Sequence, residues 1–203
     1  MLVRHRMTPT PVTVGPQDTL ATAQVQMTAG HFRRVPVVQD GRLVGILTDR
    51  DIRRHVGVEA RTRVQAAMTE TPLTVSPLTT VEEATQLMLK HQISGLPVLE
   101  NGQLVDILTA SDVLQAFLEM TGASVADRIR IDLLAGAEGS LAEAATLINE
   151  LDGEVLGVGT YREPVGDQWV FFLRVRRVDA QVAATVLRHK GYTVLSVHAA
   201  EAR

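Results

Sequence analysis

Apolar and polar positions switch between two periods along this chain, and the switches mark its elements. Pro11-Val-Thr-Val14 is a short extended segment closed by Gly15-Pro16, because proline continues neither a helix nor a central strand. Thr19 is placed to cap a helix opening at Leu20, and Leu20, Ala23 and Met27 share one face at helical spacing. Gly30 is expected to stop that helix. Val35-Pro-Val-Val38 and Leu43-Val-Gly-Ile-Leu47 read as strands joined by the hairpin signal Asp40-Gly41. Thr48 then opens a helix expected to run to about Val56. The order is β–α–β–β–α.

The same order returns 61 residues later. Val3–Val56 lies over Val64–Phe117 without a gap, and 20 of the 54 aligned positions are identical. Among them are Pro11 with Pro72, Met27 with Met88, Pro36 with Pro97 and Gly41 with Gly102. In the second copy Thr80-Val-Glu-Glu83 adds a capping box to the first helix, and Asn101-Gly102 is a stronger hairpin signal than Asp40-Gly41. A unit this small cannot cover its own helices, so the two copies are expected to pack on each other.

Periodicity breaks at Met120–Val125, where Gly122 and Ser124 mark a boundary. Beyond it, Arg128–Leu134 alternates as a half-buried strand. Ser140-Leu-Ala-Glu143 is a capping box, and Leu141, Ala144, Ile148 and Leu151 follow helical spacing to Gly153. Glu154–Tyr161 and Trp169–Val175 read as strands, Asp179 caps a helix to Gly191, and Tyr192–Val197 is a last strand. This is the split β–α–β–β–α–β pattern of a ferredoxin-like sandwich. The division expected is therefore 1–60, 61–122 and 125–203, in a mixed α/β (α+β) chain.

Composition narrows the functions. The 203 residues are 45% hydrophobic and carry a net charge of −3, so no strong attraction to nucleic acid or an anionic membrane is expected. Cysteine is absent, which removes disulfides, thiolate metal sites and cysteine nucleophiles. No apolar run approaches membrane-spanning length and no signal-peptide pattern opens the chain, so a cytoplasmic protein is expected. His5, His31, His55, His91, His189 and His198 are scattered without metal-ligand spacing. Gly157-Val-Gly159 lies inside a strand pattern and lacks the third glycine of a dinucleotide fingerprint. No nucleophile–base set emerges; a non-enzyme without catalytic cofactor or metal is expected.

One phrase carries the candidate chemistry. Gly45-Ile-Leu-Thr-Asp-Arg-Asp51 and Asp106-Ile-Leu-Thr-Ala-Ser-Asp112 place Thr48 and Asp51, and Thr109 and Asp112, where a strand meets a helix. One reading is a capping box, in which each pair satisfies its own helix start. The other uses the helix start for an anionic ligand, with the carboxylate accepting from a ribose diol. Arg33-Arg34 precedes Val35-Pro36, and guanidinium groups suit phosphate contacts. The second copy has Ser94-Gly95 there, so unequal clefts are expected.

The gapless repeat, Val35-Pro-Val-Val38, Leu96-Pro-Val-Leu99, the two phrases above and the pairs Met7-Thr8 and Met68-Thr69 together resemble tandem CBS domains, two of which form a Bateman module. The resemblance spans about Met1–Phe117. It implies an adenine nucleotide (AMP, ADP, ATP or a related adenosyl compound) as regulatory ligand, in clefts between the copies. It implies that Thr48, Asp51, Thr109 and Asp112 face the ribose. Backbone around Pro11–Val14 (Val12, Thr13) and Pro72–Val75 (Thr74) would hold the base. Arg33, Arg34, Ser94 and Gly95, with the strand starts Pro36, Val37 and Pro97, would complete the clefts. Asp106 departs from the glycine at Gly45. The last eighty residues resemble an ACT domain, which implies an amino acid or similar small ligand near Gly139, Ser140 and Leu141, or a dimerisation role without ligand. CBS repeats followed by an ACT domain resemble AcuB-like proteins. Together these resemblances imply a homodimeric regulator acting on an unidentified protein target, or a ligand-free scaffold.

Overall fold

Left-handed turn residues build the first half of the molecule. Asp40 and Gly41 take φ of 51° and 76°, and Asn101 and Gly102 take 51° and 81°, the pairing that matches strand twist in a two-residue turn. The structure is a computed structural model describing residues 1–6, 11–135, 140–163 and 167–199. The first turn joins β1 (Arg34–Gln39) to β2 (Arg42–Thr48). After the two-residue β3 (Thr69–Glu70), the second joins β4 (Gly95–Glu100) to β5 (Gln103–Thr109). The leading extended segments run parallel to these hairpins through single bridges. Val14 N–H donates to Pro36 O at 3.1 Å and Val75 N–H to Pro97 O at 3.1 Å.

Four helices complete this unit: α1 (Leu20–Ala29), α2 (Asp49–Arg53), α3 (Val81–His91) and α4 (Ala110–Met120). The apolar stripes fall inward, since α1 buries Leu20, Ala23 and Met27, and α3 buries Val81, Ala84 and Met88. Thr19 and Thr80 cap them as the sequence predicts. Gly30 follows α1 at φ −93°, and His31 is the left-handed residue. The glycine is needed for space instead: a Cβ there would strike the Phe32 ring. The helix expected to reach Val56 stops at Arg53, three residues short. The His55 ring bonds Asp51 O at 2.9 Å and Gly57 turns the chain at φ 86°. The second copy has Leu118 at the position matching Gly57, and α4 runs on to Met120.

The segment leading each copy packs on the other copy. Val3 is fully buried with Val75, Met88, Leu96 and Leu108 of the second copy. Val3 N–H donates to Thr79 O at 2.9 Å, and Arg4 N–H to Pro77 O at 3.0 Å. Val64 reciprocates in the core of Leu20, Met27, Val35 and Leu47, with its N–H on Asp18 O at 2.9 Å. The exchange places β3 beside β2, pairing Gly45 with Glu70. A Cβ on Gly45 would lie 2.5 Å from Met68 Sδ and 3.0 Å from Thr69 O. Among the described residues β5 has only β4 as a strand partner.

The chain divides into Met1–Ala116 and Phe117–Arg203. The second unit holds β6 (Ile129–Leu134), α5 (Leu141–Glu150), β7 (Glu154–Arg162), β8 (Trp169–Arg176), α6 (Ala180–His189) and β9 (Val194–Ala199). Its sheet runs β7-β8-β6-β9 with every pair antiparallel, as the split pattern requires. Both helices cover one face, burying Ile131, Leu133, Ile148, Leu173 and Leu187. After α5 the left-handed residue is Asp152, while Gly153 sits 2.8 Å from Ile148 where a Cβ would project. The last strand starts at Val194 because Tyr192 is drawn into the core, its hydroxyl donating to Ser140 O at 2.8 Å. On the opposite face buried Asp132 pairs with Arg130 at 2.9 Å and accepts from the Ser196 hydroxyl at 2.7 Å. Thr121 crosses this face directly over Gly157, where a Cβ would be 2.6 Å from the Thr121 carbonyl.

Candidate functional site

Both Thr-x-x-Asp phrases fold as capping boxes. Asp51 Oδ2 accepts from Thr48 N–H at 3.0 Å and from its hydroxyl at 2.5 Å, while Thr48 Oγ1 accepts from Asp51 N–H at 3.4 Å. In the second copy the corresponding distances are 2.7, 2.6 and 3.4 Å. A strand that ends in Thr delivers the hydroxyl to the first turn, and the carboxylate three residues on reaches back. Each box uses one carboxylate oxygen. The other oxygen of Asp51 faces Arg54 at 3.4 Å. Asp112 has no ion pair among the described residues, and it lines a cleft.

The two boxes have different surroundings. A cleft of about 960 Å³ opens beside Thr109 and Asp112, at the upper end of the range for small-molecule sites. Its walls come from both copies. Pro11, Val12, Arg33, Arg34 and Pro36 enter from the first, and Ser94, Asp106, Ile107 and Ser111 from the second. Thr13 and Thr74 are exposed and lie outside this lining, Val37 is buried in its own core, and Thr48, Asp51, Gly95 and Pro97 are also outside it. Asp106, expected only as a departure from Gly45, lines the cleft, and so do Arg6, Gly30, His31, Phe32, Ile107, Ala110 and Ser111, which the sequence does not mark as site residues. His31 and Phe32 are brought there by the left-handed turn after α1, which a search for basic and hydroxyl side chains does not register.

Arg34 lies between the copies. Its guanidinium donates to the Ser94 hydroxyl, and its Cδ is 2.7 Å from where a Cβ on Gly95 would sit. Burial pulls it below its ordinary value, with Asp49 opposing and Arg33 adding to the fall; an arginine nonetheless stays charged. Arg33 is exposed; its carbonyl accepts from Asp49 N–H at 2.9 Å, and its side chain has no hydrogen bond or ion pair among the described residues. Asp106 is 4% exposed, and its Oδ1 accepts from Ile107 N–H at 2.6 Å. The cleft thus presents guanidinium groups, a helix start and a short apolar wall, and no paired acid and base.

In the second unit Gly139 lies outside the described residues. Ser140 caps α5, with its N–H on Glu143 Oε2 at 2.8 Å, and Leu141 packs against the helix-covered core. Among the described residues no group of three or more His, Cys, Asp or Glu could hold a metal ion. No helix among them is long and apolar enough to cross a membrane.

Comparisons with known proteins agree with the repeat. The CBS-domain family model matches residues 3–58 and 64–119. The CBS domain-containing protein YhcV of Bacillus subtilis is 35% identical over 114 residues, 55% of this chain and 81% of that protein. Inosine-5'-monophosphate dehydrogenase of Korarchaeum cryptofilum is 36% identical over 103 residues, half of this chain but 21% of that enzyme. Among solved structures, the acetoin utilization protein AcuB of Vibrio cholerae is 30% identical with a TM-score of 0.54, covering 58% of this chain and 90% of that one. CBSX2 in complex with AMP is 29% identical with a TM-score of 0.52, covering 58% and 96%. The CBS domain pair of MJ0100, in complex with 5'-methylthioadenosine and S-adenosyl-L-methionine, is 26% identical with a TM-score of 0.54, covering 58% and 99%. Each likeness leaves two fifths or more of this chain uncovered. With both copies matched over more than half of its length, the chain belongs to the CBS-domain family.

Proposed function

We propose that the paired repeats are a regulatory sensor that binds an adenine nucleotide or related adenosyl ligand and acts in trans on a protein partner. The observation carrying this reading is the two-copy cleft, in which Asp112, Arg33, Arg34 and the Pro11-Val12 wall share one space of about 960 Å³. A ribose diol suits the carboxylate, a phosphate suits the guanidinium groups, and a base suits the apolar wall. The neighbours bound to AMP and to S-adenosyl-L-methionine support this choice of ligand class. A ligand shared by both copies changes their packing only through its different affinity for two arrangements.

The C-terminal unit is, in this reading, an ACT-like domain that takes an amino acid or similar small ligand, or pairs two chains in a homodimer. No catalytic step is assigned, and the protein is a cytoplasmic regulator. The capping boxes favour a second reading: each Thr-x-x-Asp set is satisfied without ligand, as expected of a scaffold. Thermal unfolding with AMP, ADP, ATP and S-adenosylmethionine separates the two. A ligand at 100 times its dissociation constant adds about 2.7 kcal/mol, a visible shift. An unmoved midpoint with all four would leave the scaffold.

A further inference from the structure

The sheet face of the C-terminal unit that α5 and α6 leave open carries more positive charge than it neutralises. Ile129, Ile131, Leu133, Leu173 and Val175 point into the helix-covered core, so strand alternation puts Arg130, Asp132, Phe172 and Arg174 on the other face. Asp132 is buried and already satisfied by Arg130 at 2.9 Å and the Ser196 hydroxyl at 2.7 Å. Arg130 and Arg174 are directly opposed in the β6–β8 register, where like charges repel. Both lie over the Phe172 ring, with Cζ 4.6 and 5.6 Å from its centroid, and the ring holds them together. Arg174 donates to the Thr121 carbonyl at 2.9 Å and its hydroxyl at 2.7 Å, and Arg128 donates to the Val125 carbonyl at 2.6 Å. These anchors are neutral. Glu154 is taken by Arg176 and Arg177, and exposed Asp127 forms no ion pair among the described residues. Arg128, Arg130 and Arg174 therefore share the one carboxylate of Asp132. Burial, then the charges of Arg130 and Arg128, pull Arg174 below its ordinary value, with Asp132 opposing; as an arginine it stays charged.

We infer that the open face of this sheet binds a small dianion, a phosphate ester or a dicarboxylate, held by Arg128 and Arg174 beside the Arg130–Asp132 pair. The Thr121–Val125 segment fixes two guanidinium groups in place through neutral oxygens and leaves their charge uncompensated. Among the described residues each is engaged only through Nη1, so Nε and Nη2 remain for the paired oxygens that a guanidinium fork fits. Ser140 and Leu141 belong to α5 and the helix-covered face, so this site is separate from the small-ligand position considered there. It requires no nucleotide in the first unit.

Isothermal titration of the full chain with inorganic phosphate and with malonate, at an ionic strength held constant with sodium chloride, tests it. Saturable binding of at least one of the two is expected, and the tighter anion tells a phosphate ester from a dicarboxylate. Arg128→Gln and Arg174→Gln should each weaken that binding by about tenfold or more, the scale of one charge-assisted contact. Arg33→Ala, in the first unit, should leave it unchanged. Circular dichroism of each variant separates lost binding from lost folding. Arg128 contacts a single carbonyl, so Arg128→Gln carries the test even if Arg174→Gln does not fold. No saturable heat with either anion overturns the site, and so does binding that persists in the folded glutamine variants. A loss that follows Arg33→Ala alone would put the anion in the cleft of the first unit and overturn it equally.

Discussion

Val3→Ala is the sharpest test of the exchanged packing. Val3 has no exposed surface and lies among Val75, Ala84, Met88, Leu96, Val98 and Leu108, all from the other copy. Removing two carbons forfeits about 1.6 kcal/mol of transfer free energy at ~0.8 kcal/mol per methylene. The cavity left in a packed core raises the cost to roughly 2–3 kcal/mol. Val64→Ala should cost a similar amount, because Val64 is equally buried in the first copy. Val25→Ala is the control: Val25 is 68% exposed on α1 and should change stability by less than about 0.5 kcal/mol. Location is the more telling readout. Native-state hydrogen exchange should accelerate in α3, β4 and β5 for Val3→Ala, and in α1, β1 and β2 for Val64→Ala. A loss of 2 kcal/mol corresponds to roughly 30-fold faster exchange from the affected amides. If Val3→Ala loosened α1, β1 and β2 instead, or matched Val25→Ala, each copy would be closing on its own leading segment and the exchange would be refuted.

Two further outcomes follow from local geometry. Glu83 is held below its ordinary value of 4.5, first by the Thr80 backbone N–H and then by the Thr80 hydroxyl. A carboxyl depressed in the folded state stabilises above its unfolded value, and that contribution is lost as pH falls through the folded value. Glu83→Gln should therefore flatten the fall in urea midpoint below about pH 4.5, and an unchanged acid limb would remove the box from the stability of α3. Gly157→Ala meets Thr121 backbone at 2.6 Å and Gly122 N at 3.1 Å, with no flexible side chain to yield. It should destabilise the C-terminal unit by about 1–3 kcal/mol, the range for overpacking, and a melting temperature equal to wild type would show that Thr121 does not cross there.

Element type was legible where a residue has a local consequence. Asp40-Gly41 and Asn101-Gly102 turn because only left-handed backbone closes those hairpins, and Thr80-x-x-Glu83 caps because its reach is three residues. Glycines were less legible. Gly30, Gly153 and Gly157 all interrupt a pattern, yet each is required by a group pressed against its Cα: the Phe32 ring, Ile148 and the Thr121 carbonyl. Their φ values are not left-handed, and the neighbours His31 and Asp152 take the left-handed turns. A sequence shows that a glycine is present; which need it meets depends on what packs against it. The short α2 has a similar cause, since Gly57 and the His55 ring end it through contacts that an apolar stripe does not encode.

The candidate site was legible as residues and illegible as a place. Aligning the copies makes Thr48 equivalent to Thr109 and Arg33 to Ser94, and the resemblance implies clefts between the copies without saying which residues meet in them. In space Val12 and Arg33 of the first copy face Thr109 and Asp112 of the second. Repeat alignment fixes which positions correspond; it cannot fix which copy supplies the partner, because self-packed and exchanged arrangements bury the same valines. What breaks the tie is size. Gly95 admits Arg34, and Met68 occupies the space in front of Gly45. Unlike residues at matching positions give the two Thr-x-x-Asp boxes unlike surroundings: Arg54 faces Asp51 at 3.4 Å, while the neutral Gln115 stands at the matching position after Asp112.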